Sequence, residues 1–174
     1  MTLTPENVEA YRELMLHGYR HAADAFTSTL EERASFPTSW WRQRLGRESE
    51  ASCALGAFRG DALVGTVALE FSARVKTAHK ARLIALYVLE TSRGLGAGQA
   101  LVTAALGAAR RRAGVRAVTL TVTESNGAAV ALYEKLGFRT FGSEPLAIRT
   151  PAGDFLAKRH MWLEIDPRAG EAGP

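Results

Sequence analysis

The feature that most constrains this chain is a short apolar strand that runs into a glycine-rich loop and then a helix. Leu83-Ile84-Ala85-Leu86-Tyr87-Val88 is dense in strand-forming residues, and Arg93-Gly94-Leu95-Gly96-Ala97-Gly98 follows it. A helical pattern over residues 99–112 comes next, apolar on nearly every side, which predicts a helix buried against a sheet. Such a unit is an anion site by construction. The first-turn amides of a helix have no intrahelical acceptor, and the helix dipole favours negative charge beside them. Glycines let the backbone approach phosphate oxygens with no side chain in the way, and Arg93 adds a cation at the loop's mouth.

Two common phosphate sites fit this loop poorly. A triphosphate-binding loop needs Gly-Lys-Ser/Thr at the helix start, whereas Gly98 is followed by Gln99 and Ala100. A dinucleotide fingerprint wants a small residue where Gln99 stands, and an acid nearer than Glu124.

The rest of the chain supplies the layers. Thr4-Pro5-Glu6 opens a helix whose apolar stripe is Val8, Tyr11, Leu14, Met15 and Leu16. Ser28 and Thr29 each precede a glutamate by three residues, the capping-box pattern of a second short helix. Thr38 or Ser39 is expected to cap a further turn carrying Trp40 and Trp41. Residues 54–58 and 62–71 read as strands joined by Arg59-Gly60-Asp61, and residues 81–88 as a third strand. Gly114 ends the long helix. Residues 117–122 form another strand, and residues 126–136 a helix stopped by Gly137. A closing hairpin is expected from residues 146–150 and 155–165 around Pro151-Ala152-Gly153-Asp154. The order predicts an α/β fold: a mixed sheet with helices on both faces. It reads as one domain over residues 1–165 and a flexible tail over 166–174.

Composition removes several function classes. The 174 residues suit one well-buried domain, and 47% hydrophobic with 23% charged residues is ordinary for a globular protein. No apolar run approaches the roughly 20 residues that span a bilayer, and the polar, acidic N-terminus does not read as a secretory signal. No membrane partner is expected, and a cytoplasmic location is the simplest expectation. Cys53 is the single cysteine, which excludes an internal disulfide and a cysteine-built zinc site; no metal is expected. The net charge of +4 is spread along the chain. Its one arginine run, residues 110–112, falls where cations complement a helix C-terminus, so no nucleic acid is expected. A mildly basic surface does suit an anionic, phosphate-rich cofactor.

Two motifs then carry a family resemblance. Arg93-x-x-Gly96-x-Gly98 resembles the Arg/Gln-x-x-Gly-x-Gly/Ala pyrophosphate loop of the GNAT N-acyltransferases. Asn126-Gly-Ala-Ala129-Val-Ala-Leu132-Tyr133-Glu-Lys-Leu136-Gly137-Phe138 is similar to that family's Asn-x-x-Ala-x-x-Leu-Tyr-x-x-x-Gly-Phe segment. The resemblance covers about residues 55–165. It implies a mostly antiparallel mixed sheet whose bulged central strand, residues 81–88, splays from the next. It also implies an acetyl-CoA-dependent N-acetyltransferase acting on a primary amine of a small molecule or peptide in a ternary complex.

By the same resemblance, the main chain of Leu86, Tyr87 and Val88 would bond the pantetheine arm of acetyl-CoA, with one amide polarising the thioester carbonyl. The amides of Gly94, Leu95, Gly96, Ala97 and Gly98 would hold the pyrophosphate. Asn126 would contact the cofactor, and Tyr133 would reach its sulfur as general acid. These two lie seven residues apart, two helical turns, and so share a side. Asn126 reads equally as a helix N-cap, and Tyr133 also suits packing with Ala129 and Leu136. For the general base, Glu70 is the carboxylate candidate, His79 has a suitable intrinsic pKa, and a water chain is the third option; His160 reads as structural. Phe26, Phe36, Trp40 and Trp41 are candidates for an acceptor-pocket wall or for core, with core favoured for the tryptophans. Phe155-Leu-Ala157-Lys158-Arg159 stands where related sequences often carry acids, which argues against a polyamine acceptor. A homodimer stays open, as does a non-catalytic acyl-CoA-sensing module of the same fold.

Overall fold

A computed structural model describes residues 1–45 and 51–165. The expected tail, residues 166–174, lies outside them, as does the stretch 46–50. Three helices come first. α1 (Val8–His21) follows a single 3-10 turn, Pro5–Asn7, capped at Thr4. α2 (Leu30–Ala34) uses one of the two capping boxes that the sequence offers: the Thr29 hydroxyl accepts from the Glu32 amide, and the Glu32 carboxylate accepts from the Thr29 amide. α3 (Thr38–Arg42) departs from expectation, since Pro37 occupies the cap position and no side chain caps the turn. Proline's fixed φ, here −67°, sets the entry angle by itself.

Six strands follow among the described residues: β1 (Ser52–Arg59), β2 (Ala62–Phe71), β3 (Lys80–Val88), β4 (Ala117–Thr123), β5 (Arg139–Arg149) and β6 (Phe155–Glu164). They form one sheet in the order β1-β2-β3-β4-β6-β5, antiparallel throughout except for the β3–β4 pair. α4 (Ala97–Arg111) connects β3 to β4, and α5 (Gly127–Lys135) follows β4. One core packs Val67, Leu69, Leu83, Val118, Leu120 and Met161 of the sheet against Leu101, Val102 and Ala105 of α4 and Val130 and Tyr133 of α5. On the other face, Tyr11, Leu14 and Met15 of α1 and Trp41 of α3 pack over Ala54, Ala68 and Tyr87. Gly18 brings α1 onto that face: a Cβ there would stand 3.1 Å from the Tyr87 ring.

α4 corrects one expectation. Leu101, Val102, Ala105, Leu106 and Ala109 are buried, but Ala100, Thr103 and Ala104 face solvent, so the helix is one-sided. Its outer face looks apolar in sequence because it is built of alanine, which favours helix and adds little surface. The closing hairpin differs too. β5 begins at Arg139, well before the expected residue 146, and its first half is polar with Gly142 and Pro145. It is an edge strand, and edges tolerate such residues. Two register shifts interrupt its pairing with β6, between Thr140 and Gly142 and between Glu144 and Ile148, and Leu146 has a φ of 54°. At the opposite edge, the first residues pair along β1: the Leu3 amide donates to Ala54 and the Gly56 amide to Met1, each at 2.8 Å.

Two irregularities in β3 position everything else. Its parallel ladder with β4 runs only from Lys80 to Arg82, opposite Ala117 to Thr119, and then the strands part. Against β2, Tyr87 pairs with Thr66 and Ile84 with Ala68, so Ala85 and Leu86 oppose Val67 alone. This bulge flips the alternation. Ala81 and Leu83 face the α4 side before it, and Leu86 and Val88 face that same side after it. Ala85 absorbs the extra residue with a left-handed φ of 56°.

That conformation gives a stability test. A non-glycine residue in the left-handed region costs about 1–2 kcal/mol, which glycine avoids. Ala85→Gly should therefore leave urea-unfolding stability unchanged or raise it by up to about 1 kcal/mol. Ala68→Gly, on the neighbouring strand without that φ, should cost about 1 kcal/mol. Equal losses for the two variants would mean that Ala85 is unstrained.

Candidate active site

The loop after β3 is shaped by two glycines with positive φ. Gly94 has φ 75°, and Gly96, at φ 80° and ψ 0°, is the N-cap residue of α4. A Cβ at either would meet nothing within 4 Å, so it is the backbone angle, not crowding, that calls for glycine here. Ala100 donates the first helical hydrogen bond, to the Gly96 carbonyl at 2.9 Å. The six amides before it, residues 94 to 99, make no well-formed hydrogen bond to any protein acceptor among the described residues. They form a consecutive run of donors on an exposed or half-exposed loop.

Arg93 is anchored rather than loose. Its Nε donates to the Val88 carbonyl at 3.0 Å, its Nη1 stands 3.9 Å from the Glu90 carboxylate, and its guanidinium lies 5.8 Å from the Tyr87 ring centre. The cation is thereby fixed between the end of β3 and the loop. On the far side, Lys135 of α5 donates to the Gln99 side chain at 3.0 Å, tying the first turn of α4 to α5.

Asn126 acts as the N-cap of α5, its Oδ1 accepting from the Ala129 amide at 3.2 Å. Tyr133 is buried, with its ring edge-on to Phe138 at 5.7 Å between centres. Its hydroxyl has no hydrogen-bond partner among the described residues. Burial pushes its pKa far above that of an ordinary phenol, so the group stays protonated across the neutral range.

The base candidates separate. His79 is exposed at the start of β3, where its carbonyl accepts from Arg116 and Ala117. Leu86 lies seven residue steps further along extended chain, roughly 23 Å at 3.3 Å per residue. His160 bonds Glu144 at 2.9 Å on the outer hairpin. Glu70 sits differently: it pairs with Arg44 at 3.3 Å and stands directly across β2–β3 from Arg82. It also lines a cavity of about 230 Å³. The β3 bulge at Ile84 and Ala85, Thr121 of β4 and the Phe26 ring line it as well. The cavity therefore opens where β3 and β4 part. Trp41 is core as expected, and Trp40 is half-buried between Arg33 and Arg44. The sequence reading did not assign Arg33, Arg44, Arg82 and Lys158 to this cavity. They come from four separate segments, and only the unusual Lys158-Arg159 pair offered a signal.

The chain matches the Acetyltransferase (GNAT) family over residues 15–138. It is 51% identical over 61 residues to the mycothiol acetyltransferase of Salinispora tropica, a match spanning 33% of this chain and 20% of that protein. The match to the Salinispora arenicola mycothiol acetyltransferase is alike, 50% over 60 residues. The alignment thus spans about a fifth of the length of the curated relatives it matches. In three dimensions the chain superposes with a TM-score of 0.79 on a Salmonella typhimurium protein solved with its cofactor acetyl-CoA, at 20% identity over 100% of this chain and 95% of that one. An N-acetyltransferase from Kribbella flavida gives a TM-score of 0.79 at 23% identity, covering 95% of this chain and 96% of that one. At such identities the likeness is one of fold.

The environment of the phenols yields a prediction. All four tyrosines, Tyr11, Tyr19, Tyr87 and Tyr133, have raised pKa values, with burial the leading cause in each; nearby arginines pull the first three partly back. The folded chain thus holds these protons more tightly than the unfolded one, whose tyrosines ionise near about 10. Their contribution to stability is complete below about pH 10 and is lost as pH rises beyond it. Phenolate absorbance at pH 10 should be lower than that of the urea-unfolded chain, and the urea midpoint should fall above that pH. Superimposable native and unfolded titration curves would contradict this.

Proposed function

Because the chain belongs to the GNAT acetyltransferase family, we propose that it transfers an acetyl group from acetyl-CoA to a primary amine of a small molecule or peptide, by direct attack in a ternary complex. The observation that carries this reading is the run of unpaired amides from residue 94 to 99 at the head of α4. They are a cradle for a pyrophosphate, and Arg93 stands fixed beside them. When bound, acetyl-CoA supplies the thioester carbonyl that is attacked and the sulfur that departs.

The chain's own groups divide the work. The main chain of Leu86, Tyr87 and Val88 lies beyond the point where β3 leaves β4, and an amide there would donate to the thioester carbonyl and stabilise the charge that develops on its oxygen. A donor of that kind is worth about 2.7–4 kcal/mol in comparable sites. Asn126 caps α5 with its oxygen and keeps its Nδ2 for the ligand. Tyr133 holds a proton at Oη for the departing sulfur, as general acid. Its raised pKa keeps that proton on Oη across the neutral range, so the hydroxyl is a donor when the sulfur departs. Glu70, held by Arg44 at the cavity wall, takes the proton that the acceptor ammonium must lose, directly or through one water. The partial likeness to mycothiol acetyltransferases supports acetyl transfer and leaves the acceptor to be argued from this chain.

Release of CoA thiol from acetyl-CoA in the presence of an amine panel tests the reading. Binding of acetyl-CoA without release for any amine would favour a sensing module instead. Gly96→Val forces a branched side chain into a left-handed backbone and disturbs the amide run, so acetyl-CoA affinity should fall by at least about tenfold while the fold persists. Unchanged affinity in a folded variant would reduce the loop to a turn. Tyr133→Phe keeps the ring packed on Phe138 and removes the hydroxyl alone. Turnover should fall by about 10²–10⁴-fold with acetyl-CoA affinity nearly constant. Full turnover in this variant would remove Tyr133 from the mechanism.

A further inference from the structure

We propose that the cavity beside the β3 bulge is the acceptor site and that it takes a small amine bearing a carboxylate or comparable oxyanion near its amino group. This rests on the acetyl transfer proposed above. The argument is one of charge. Four cationic side chains line the cavity, Arg33, Arg44, Arg82 and Lys158, against one carboxylate, Glu70, among the described residues. Of the four, Arg44 alone has a carboxylate partner among those residues, Glu70 itself at 3.3 Å.

The remaining three present unneutralised charge to the space. Lys158 is 7% exposed, and its ammonium donates to a neutral partner, the Thr27 hydroxyl, at 2.6 Å. A buried ammonium without a counter-ion is costly, and a bound anion supplies what is missing. Burial and the Arg82 charge press the Lys158 pKa downward; Glu144 pulls it up, but that carboxylate is engaged by His160 at 2.9 Å. The Nε of Arg33 is buried with no hydrogen-bond partner among the described residues. Arg33 and Arg44 lie over the same Trp40 ring, at 4.8 and 4.5 Å from its centre, which fixes both guanidinium planes before a ligand arrives. Arg82 is exposed and stands across from Glu70 in register. The cavity is therefore two-signed: Glu70 suits an ammonium, and the cations around it suit an oxyanion on the same small molecule. A volume of about 230 Å³ limits the ligand's size.

The test uses the whole chain and two readouts. CoA release is measured with a panel of L-amino acids, each beside its α-amide, and with 2-aminoethylphosphonate beside ethanolamine. Calorimetry on CoA-saturated protein measures binding of the matching N-acetyl amino acids and N-acetyl amides. At least one acid should exceed its amide by about tenfold or more in kcat/KM and in affinity, as charge-assisted hydrogen bonds imply. Arg82→Gln, at an exposed position, and Lys158→Met should each shrink that ratio through KM, with acetyl-CoA affinity unmoved. A preference for the phosphonate over the amino acids would place the oxyanion on phosphorus instead of carbon and still support the site. Amides that match or beat their acids throughout, or an acid preference untouched by both variants, would overturn the inference. Acid-selective binding without CoA release from any amine would overturn the proposed acetyl transfer while upholding the anion site.

Discussion

A parallel pair of strands that begins at Lys80 and Ala117 and stops three residues later governs this molecule. Backbone donors and acceptors in a sheet interior must find partners, so a central ladder that ends early leaves a row of groups facing a gap. A gap between interior strands is costly unless something occupies it, which is why such an opening marks a place for an extended ligand. Both features of the candidate site adjoin it. The amide-rich loop lies just past the end of β3, and the two-signed cavity lies against the bulge.

The bulge is held in place by the packing it permits. Ala85 stores about 1–2 kcal/mol of backbone strain. In exchange, the residues on either side keep their apolar side chains on the α4 face, where Leu83, Leu86 and Val88 join one cluster. Burying even part of two such side chains is worth about that much or more. Tyr87 is sent to the opposite face, where its hydroxyl meets His17 at 2.9 Å and its ring meets Gly18.

How much was legible in the sequence follows from how local each signal is. The caps at Thr4, Thr29 and Asn126, the glycine loop and the helices they bound are set by neighbours a few residues away, and these were readable. The bulge was not readable from the residues alone, because Ala85 and Leu86 sit in an apolar run where a shift of parity leaves no mark; only the family resemblance implied it. The first half of β5 was hidden for a different reason. An edge strand exposed on both faces has no alternation to reveal it. The cavity was the least legible part. Arg33 and Arg82 each read alone as ordinary surface cations, Lys158 stands out only beside Arg159, and only the fold gathers the three around Glu70.

The two outer strands carry a consequence for self-association. A bare strand edge is a template on which another chain can grow by hydrogen bonding. β1 is shielded by the segment at Met1 to Leu3, which already takes up its amides and carbonyls at Ala54 and Gly56. β5 is broken instead: Pro145 offers no amide, Leu146 turns the backbone, and two register slips divide the strand into short lengths. Along these stretches the two edges of the sheet thus resist extension by unlike means. Side-chain surfaces such as the exposed rings of Phe141 and Phe155 remain, and these offer no hydrogen-bonding template that propagates.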